Sequence, residues 1–372
     1  MAKRSVAILF GGRSTEHEVS LTSALGILQH IPREKYEILL IKISREGKWQ
    51  LLSPNTELTL SALEKASGPL ILPGNPSARG FFVLSESSQE ARISFIPVDV
   101  VFPILHGTFG EDGTVQGVLA LADLPCVGGG VLASALGMDK VIMKQIFMQN
   151  DLPCTDFIWF LRNKWATSSH VIEKAIIKEI GFPCFVKPAN AGSSVGISKV
   201  KTEEELAPAV NLALEYDRKV LVEKAIEGRE LECAVLGNDD PVASVVGEII
   251  PSNEFYDYEA KYISNESKTV IPAEIQESIV KTVQHYAVEA FKAIDCAGMA
   301  RVDFFLEKDT NRIFVNEINT IPGFTPISMY PKLWEASGIS YSELIHRLIQ
   351  LAMERYDELS RSRFYLKPEE KK

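Results

Sequence analysis

The chain has 372 residues, enough for two or three domains, and its 46% hydrophobic and 24% charged content is that of a soluble globular protein. Its 49 acidic and 39 basic residues give a formal net charge of −10, which excludes nonspecific nucleic-acid binding as the main role but leaves room for a local basic cleft holding phosphates. The five cysteines, Cys126, Cys154, Cys184, Cys233 and Cys296, form no C-x-x-C pair and read as reduced, mostly buried thiols of a cytoplasmic protein.

The first element, "SVAILF", is a continuous apolar strand, too short before the glycines and charge that follow to be a signal-peptide core. "VSLTSALGILQHI" predicts a helix and "YEILLIKI" a second buried strand. The loop joining the first strand and helix, "FGGRSTEHEVS", lacks the third glycine of a dinucleotide fingerprint, and no acidic residue ends the next strand. Thr15 with Glu18 predicts a capping box. Glu16 points from the carboxyl edge of the sheet, placed to pair with a substrate ammonium. Residues 51–95, rich in Ser, Pro, Gly and Asn, read as a surface excursion. "DVVFPIL" is a further strand ending in the loop "PILHGTFGEDG", where His106 is either a ligand contact or a satisfied loop histidine. This alternation predicts an α/β fold with parallel strands covered on both faces. The apolar segment Gly117 to Met138 is broken by Pro125 and three glycines, so it predicts two buried elements rather than a membrane span.

Helices around 132–149 and 168–180 flank the strand "CFVKP". Lys140, in "GMDKVIMK", is an inward lysine or a solvated helix lysine. "FVKPANAGSSVGISKV" runs strand, small-residue loop, strand; Gly192, Ser193, Ser194 and Gly196 offer donors to phosphate oxygens, and Lys187 ends a buried strand where a phosphate would justify it. No Walker loop is present. In "KVLVEKAIEGRELECAVLG", Glu223 can take an adenine amino group, the backbone of Lys224 to Ile226 can form the hinge, and Glu230 can reach ribose hydroxyls. "MARVDFFL" and "FVNEINTIPGF" each place two polar residues on one strand face: Arg301 with Asp303, and Glu317 with Asn319. Antiparallel pairing would gather three oxygen donors into a hard-cation site suited to Mg–nucleotide. The other reading is a salt bridge of Arg301 with a carboxylate beside a hydrogen-bonded asparagine. The chain divides into about 1–127, 128–223 and 224–372.

Taken in order, "GGRSTEHEVS", "LHGTFGEDGTVQG", "KPANAGSSVG", "FYDYEAKY", "ARVDFF" and "NEINTIPGF" resemble the ATP-grasp superfamily and, within it, the D-alanine–D-alanine ligases. The resemblance covers nearly the whole chain except residues 51–95 and the tail. It implies a three-domain architecture: an N-terminal Rossmann-like parallel-sheet domain, and a nucleotide held between central and C-terminal α+β domains. It implies ATP-dependent synthesis of D-alanyl-D-alanine for peptidoglycan precursors, through an acyl phosphate, by a homodimer. Lys140, Lys187 and Lys261 would bind nucleotide phosphates, with Glu223, Lys224, Ile226 and Glu230 around adenine and ribose. Asp303, Glu317 and Asn319 would hold two Mg²⁺ or Mn²⁺ ions; a monovalent cation is left open. Glu16, linked to Ser193 and Tyr262, would anchor the first substrate beside His106. Ser328 and Met329 would flank the second substrate's carboxylate, with Arg301 and the Gly323 amide at the oxyanion. Tyr262 favours an amine over D-lactate as second nucleophile, while D-serine stays open. The loops 192–196 and 253–265 would be lids. The rival readings are another ATP-grasp carboxylate–amine ligase and a nucleotide sensor without turnover.

Overall fold

Val6 to Phe10 are wholly buried, as a strand covered on both faces of a sheet must be. The computed structural model describes residues 3–53, 59–65, 68–86, 91–250 and 268–363. Strand β1 (Arg4–Gly11) leads through helix α1 (His17–His30) to β2 (Tyr36–Ile43). Strands β3 (Trp49–Leu51), β4 (Gly68–Ile71), β5 (Gly80–Glu86) and β6 (Ala91–Pro97) follow, with the short helix α2 (Leu60–Leu63) between β3 and β4. Then come β7 (Val100–Pro103) and α3 (Thr114–Leu121). The sheet order is β6-β5-β4-β3-β2-β1-β7, and only β2, β1 and β7 are parallel.

Two local expectations are corrected here. Residues 51–95 extend the sheet by antiparallel strands rather than looping over its surface; Ile93 and Phe95 of the edge strand β6 face solvent, so polarity alternation did not reveal it. The Thr15–Glu18 capping box does not form. Glu16 occupies the cap position of α1 without a side-chain cap bond, its N–H donates to Ser14 Oγ at 3.1 Å, and Glu18 pairs with Arg45 at the surface.

Helices α4 (Val131–Met138) and α5 (Lys140–Gln149) replace the single helix expected there. Asp139 breaks them with extended backbone, and its carboxylate caps α5 by accepting from the N–H groups of Val141 and Ile142. A second, antiparallel sheet has the order β10-β9-β11-β8, built from β8 (Phe157–Leu161), β9 (Cys184–Pro188), β10 (Ser198–Val200) and β11 (Lys219–Lys224). Helices α6 (Arg162–Glu179) and α7 (Glu203–Tyr216) cover one face, where Val186, Val220 and Val222 join Ile176, Leu206 and Val210 in a core. Strand period two then puts Lys187 and Glu223 on the opposite face.

The third sheet, β14-β13-β12-β15-β16, is antiparallel throughout. It contains β12 (Gly228–Gly237), β13 (Val242–Ile250), β14 (Lys268–Val270), β15 (Gly298–Glu307) and β16 (Ile313–Asn319). Helix α8 (Glu277–Ala293) packs on Val302, Phe304 and Leu306, so Arg301 and Asp303 face the other way. After β16 come α9 (Met329–Ala336) and α10 (Tyr341–Leu359). The last helix returns to the first sheet: Leu344, Ile345, Leu348 and Ile349 share a core with Val6, Ile8 and Phe10.

One contact between these parts has no slack. A Cβ on Gly26 of α1 would overlap the carbonyl oxygen of Phe324 and lie 2.9 Å from the Tyr341 hydroxyl. Alanine is the better helix former by about 1 kcal/mol, but overpacking against backbone costs roughly 1–3 kcal/mol. Gly26→Ala should therefore lower the thermal unfolding midpoint; a raised midpoint would show that the turn yields.

Candidate active site

Glu223 is 1% exposed at the end of β11, and each carboxylate oxygen has its own lysine. Lys187 Nζ lies 2.5 Å from Oε1, and Lys144 Nζ lies 2.8 Å from Oε2. Thr155 Oγ1 donates to Oε2 at 2.8 Å and accepts from Lys144 at 3.1 Å. Burial opposes ionisation of Glu223, yet the two lysines outweigh it and hold the carboxyl well below the usual range. For Lys187, burial works against the charge, but Glu223, Glu317 and Glu230 together raise its pKa. The same lysine thus feels the carboxylates of both the second and the third sheet.

Across from it lies the acidic strip. Asp303 is directly paired with Glu317 on β16 and with Glu232 on β12, and Arg301 is paired with Asn319. Arg301 grips Asp303 with two hydrogen bonds of 2.7 Å and lies 3.0 Å from Glu232. Burial opposes its charge, but Asp303 and Glu232 raise its pKa. Asn319 donates to Asp303 at 3.1 Å, and Lys140 lies 3.4 Å from Glu317 while donating to the Ala191 carbonyl at 2.9 Å. Both sequence readings of this strip thus coexist: the salt bridge is formed, and the oxygen donors are adjacent. Among the described residues no three His, Cys, Asp or Glu side chains converge on one point. Two carboxylates and an amide fit Mg²⁺, which completes its shell with phosphate and water.

The third part of the site is the turn after β16. His106 Nδ1 is 3.0 Å from the Ile321 carbonyl and Nε2 is 3.1 Å from Ser23 Oγ, which accepts from Phe324 N–H at 3.2 Å. Burial depresses the imidazole pKa to about 4, so it is neutral, donating to Ile321 and accepting from Ser23. Both ring nitrogens are satisfied inside the protein. Glu111 accepts from Gly107 N–H at 2.7 Å and Ile321 N–H at 3.2 Å. Glu16, 5% exposed, accepts from the Ser193 hydroxyl, and a Cβ on Gly107 or Gly192 would overlap its carboxylate.

Gly323 abuts Ser328, whose Oγ would lie 2.7 Å from a Cβ there. Ser328 Oγ also accepts from Thr325 N–H at 3.0 Å. Met329, the first residue of α9, is 4% exposed and its side chain lies in the core. Lys224 is exposed at the end of β11, Ile226 is half-buried in the link to β12, and Glu230 is half-buried on that strand. Lys261, Tyr262 and the whole segment 253–265 lie outside the described residues.

Two family descriptions match the chain, "D-ala D-ala ligase N-terminus" over residues 5–129 and "D-ala D-ala ligase C-terminus" over residues 146–350. The chain belongs to the D-alanine–D-alanine ligase family. It is 50% identical to a D-alanine–D-alanine ligase of Acetivibrio thermocellus, covering 96% of this chain and 97% of that relative. It is also 50% identical to one from Chloroherpeton thalassium, over 96% and 98%. The solved D-alanine–D-alanine ligase of Coxiella burnetii matches with a TM-score of 0.82 at 37% identity, over 97% of each chain. The VanG D-Ala:D-Ser ligase of Enterococcus faecalis matches with a TM-score of 0.83 at 37% identity, over 94% of this chain and 100% of that one. The three sheets are the ATP-grasp architecture of this family.

Residue-by-residue reading missed Lys144, Glu232 and Glu111, although each stands in a motif it used. Lys144 is one turn beyond Lys140 on α5, and Glu232 is two beyond Glu230 on β12, so helical and strand spacing could have flagged both. Glu111 has a pH signature. Burial, with repulsion from Glu16, pushes its pKa from 4.5 up to about 8. Between those values the unfolded chain carries it ionised while the folded protein keeps it protonated, so its contribution to stability falls as pH rises. His106 acts oppositely, losing stability as pH falls from 6.5 towards 4. Glu111→Gln removes the titration but keeps one acceptor oxygen for the two N–H groups, so it carries a constant disadvantage. Relative to the unsubstituted protein it should gain stability from pH 4.5 towards pH 8, by on the order of 1 kcal/mol per pH unit. Denaturant unfolding at stepped pH reads this; a pH-independent offset refutes it.

Proposed function

We propose that the protein is an ATP-dependent ligase that joins two D-alanine molecules into D-alanyl-D-alanine for peptidoglycan precursors. The observation that carries the reading is the convergence of the Lys187–Glu223 pair, the Asp303–Glu317–Asn319 strip and the Glu16–Ser193 contact, in a chain of this family. It comprises three units with boundaries near residues 127 and 223.

In this reading adenine lies against β11 and the link to β12. Glu223 takes its amino group, the Lys224–Ile226 backbone forms the hinge and Glu230 reaches the ribose. Lys140 and Lys187, with Lys261, hold the phosphates. Asp303, Glu317 and Asn319 would hold two Mg²⁺ or Mn²⁺ ions, which when bound neutralise phosphate charge. Glu16, steadied by Ser193, pairs with the first D-alanine's ammonium beside His106, and Tyr262 completes that link. The substrate's carboxylate oxygen attacks the γ-phosphorus; the bond to the β,γ-bridging oxygen breaks and ADP leaves. The free amine of the second D-alanine then attacks the acyl carbon, loses one proton, and expels phosphate as the C–O bond breaks. Ser328 and the Met329 N–H hold its carboxylate at the start of α9, the end of a helix that favours an anion. Arg301 and the Gly323 N–H face the oxyanion, a contribution of roughly 3–4 kcal/mol per donor.

The reading includes a cytoplasmic homodimer, the expectation for this family. All five cysteines are free thiols, and among the described residues no helix is long and apolar enough to cross a membrane. D-serine is the second acceptor to consider, because the D-Ala:D-Ser ligase matches as well as the D-alanine–D-alanine ligase does, with TM-scores of 0.83 and 0.82.

The test is phosphate release from ATP and Mg²⁺ with D-alanine alone, and with D-serine or D-lactate added, products being identified by mass and L-alanine serving as control. D-alanine alone should release phosphate and yield the dipeptide, and D-lactate should yield no ester. Turnover that requires D-serine would move the acceptor, and nucleotide binding without turnover would favour the sensor.

A further inference from the structure

Two buried lysines share one buried carboxylate. One lysine would suffice to neutralise Glu223, and a second buried ammonium carries a large desolvation cost. The two lysines differ in what else they face. Lys187 feels Glu317 and Glu230 across the cleft. Lys144 is 1% exposed, sits between Glu223 and Thr155, and is carried by a helix whose neighbours Met143 and Phe147 are fully buried in the core of the third sheet.

We propose that Lys144 is a positioning residue for the nucleotide site, holding Glu223 charged and fixed as the adenine acceptor while Lys187 exchanges Glu223 for phosphate. This rests on the reading of Glu223 as the adenine contact given above. Lys187 cannot serve the phosphates and remain the sole partner of Glu223. Once its ammonium turns to phosphate, Oε1 becomes available to the adenine amino group. Without a second cation, Glu223 would then be an uncompensated buried carboxylate, which either takes up a proton or keeps Lys187 from leaving. Lys144 and the Thr155 hydroxyl both stay on Oε2, so the carboxylate keeps its charge and orientation through the exchange.

The experiment compares kcat/KM for ATP and for purine riboside triphosphate, which lacks the 6-amino group, at saturating D-alanine. The unsubstituted protein should prefer ATP by roughly 10- to 100-fold, the worth of one hydrogen bond to a charged acceptor. In Lys144→Met the preference should fall to about threefold or less, with KM for ATP raised about tenfold and kcat changed less. Thr155→Val keeps every charge and should reduce the preference part-way. A merely structural lysine would lower the melting temperature of Lys144→Met and leave the preference intact, which overturns the proposal. If Lys144→Met does not fold, Thr155→Val decides alone, and an unchanged preference overturns it. No preference in the unsubstituted protein would instead remove Glu223 as the adenine contact, and the proposal with it.

Discussion

The backbone of the turn at residues 320–324 is the joint on which the site depends. Ile321 is gripped at both ends: its N–H goes to Glu111 and its carbonyl to His106. Phe324 is gripped likewise, its N–H by Ser23 and its carbonyl by the Tyr341 hydroxyl. Buried backbone polar groups must find partners, and a turn cannot supply its own. Here the partners come from α1, from the loop after β7 and from α10. One short segment therefore fixes the third sheet against the first. Strand β16, which carries Glu317 and Asn319, runs into this turn, and α9 with Ser328 leaves it. The acidic strip and the loop bearing Glu16 are thus registered by a few hydrogen bonds, which is why Gly26 has no room for a methyl group.

Around this joint nearly every charge already has a partner. Lys187 and Lys144 hold Glu223, Arg301 holds Asp303 beside Glu232, Lys140 faces Glu317, and Lys219 holds Asp139. Buried ions of one sign cannot wait alone for a ligand. A phosphate arriving by itself would draw lysines away and strand carboxylates; a cation arriving by itself would draw carboxylates away and strand Arg301 and Lys140. A metal–nucleotide pair supplies both replacements together. The internal pairing is therefore what the proposed function needs, a site for phosphate and divalent cation arriving as one unit.

Which parts of this were legible in the sequence follows from the range of the forces. Glu317 and Asn319 stood out because polar residues in an otherwise apolar strand need a local reason, and strand period two put them on one face. The β15–β16 pairing followed from a short connection. The extension β3 to β6 was hidden because its first two strands are short and its edge turns Ile93 and Phe95 to solvent. The failed capping box was hidden because Glu18 found Arg45 from the end of β2, outside its own helix. Glu111 escaped because it acts on a residue brought in only by tertiary structure; 210 positions separate it from Ile321. Residues that meet the ligand carry odd local chemistry, whereas residues that position them look ordinary until the chain is folded.

The end of the site proposed for the first substrate shows how such positioning would become selectivity. Glu16 lies against Gly107 on one side and Gly192 on the other, and Glu111 reaches the N–H of the same Gly107. Ser193 donates to Glu16 from left-handed backbone, with φ of 48°, a conformation that costs energy for a serine and persists only where its surroundings repay it. Burial first, and then repulsion from Glu16, keep the proton on Glu111 to about pH 8. Glu16 accepts from the Ser193 hydroxyl, and in the proposed reading it is the carboxylate that meets the first substrate's amine. An ammonium satisfies that charge and a neutral amine does not. The proposed role of Glu16 therefore asks the first substrate to enter as the zwitterion, amine protonated and carboxylate ionised, the form whose carboxylate can attack phosphorus.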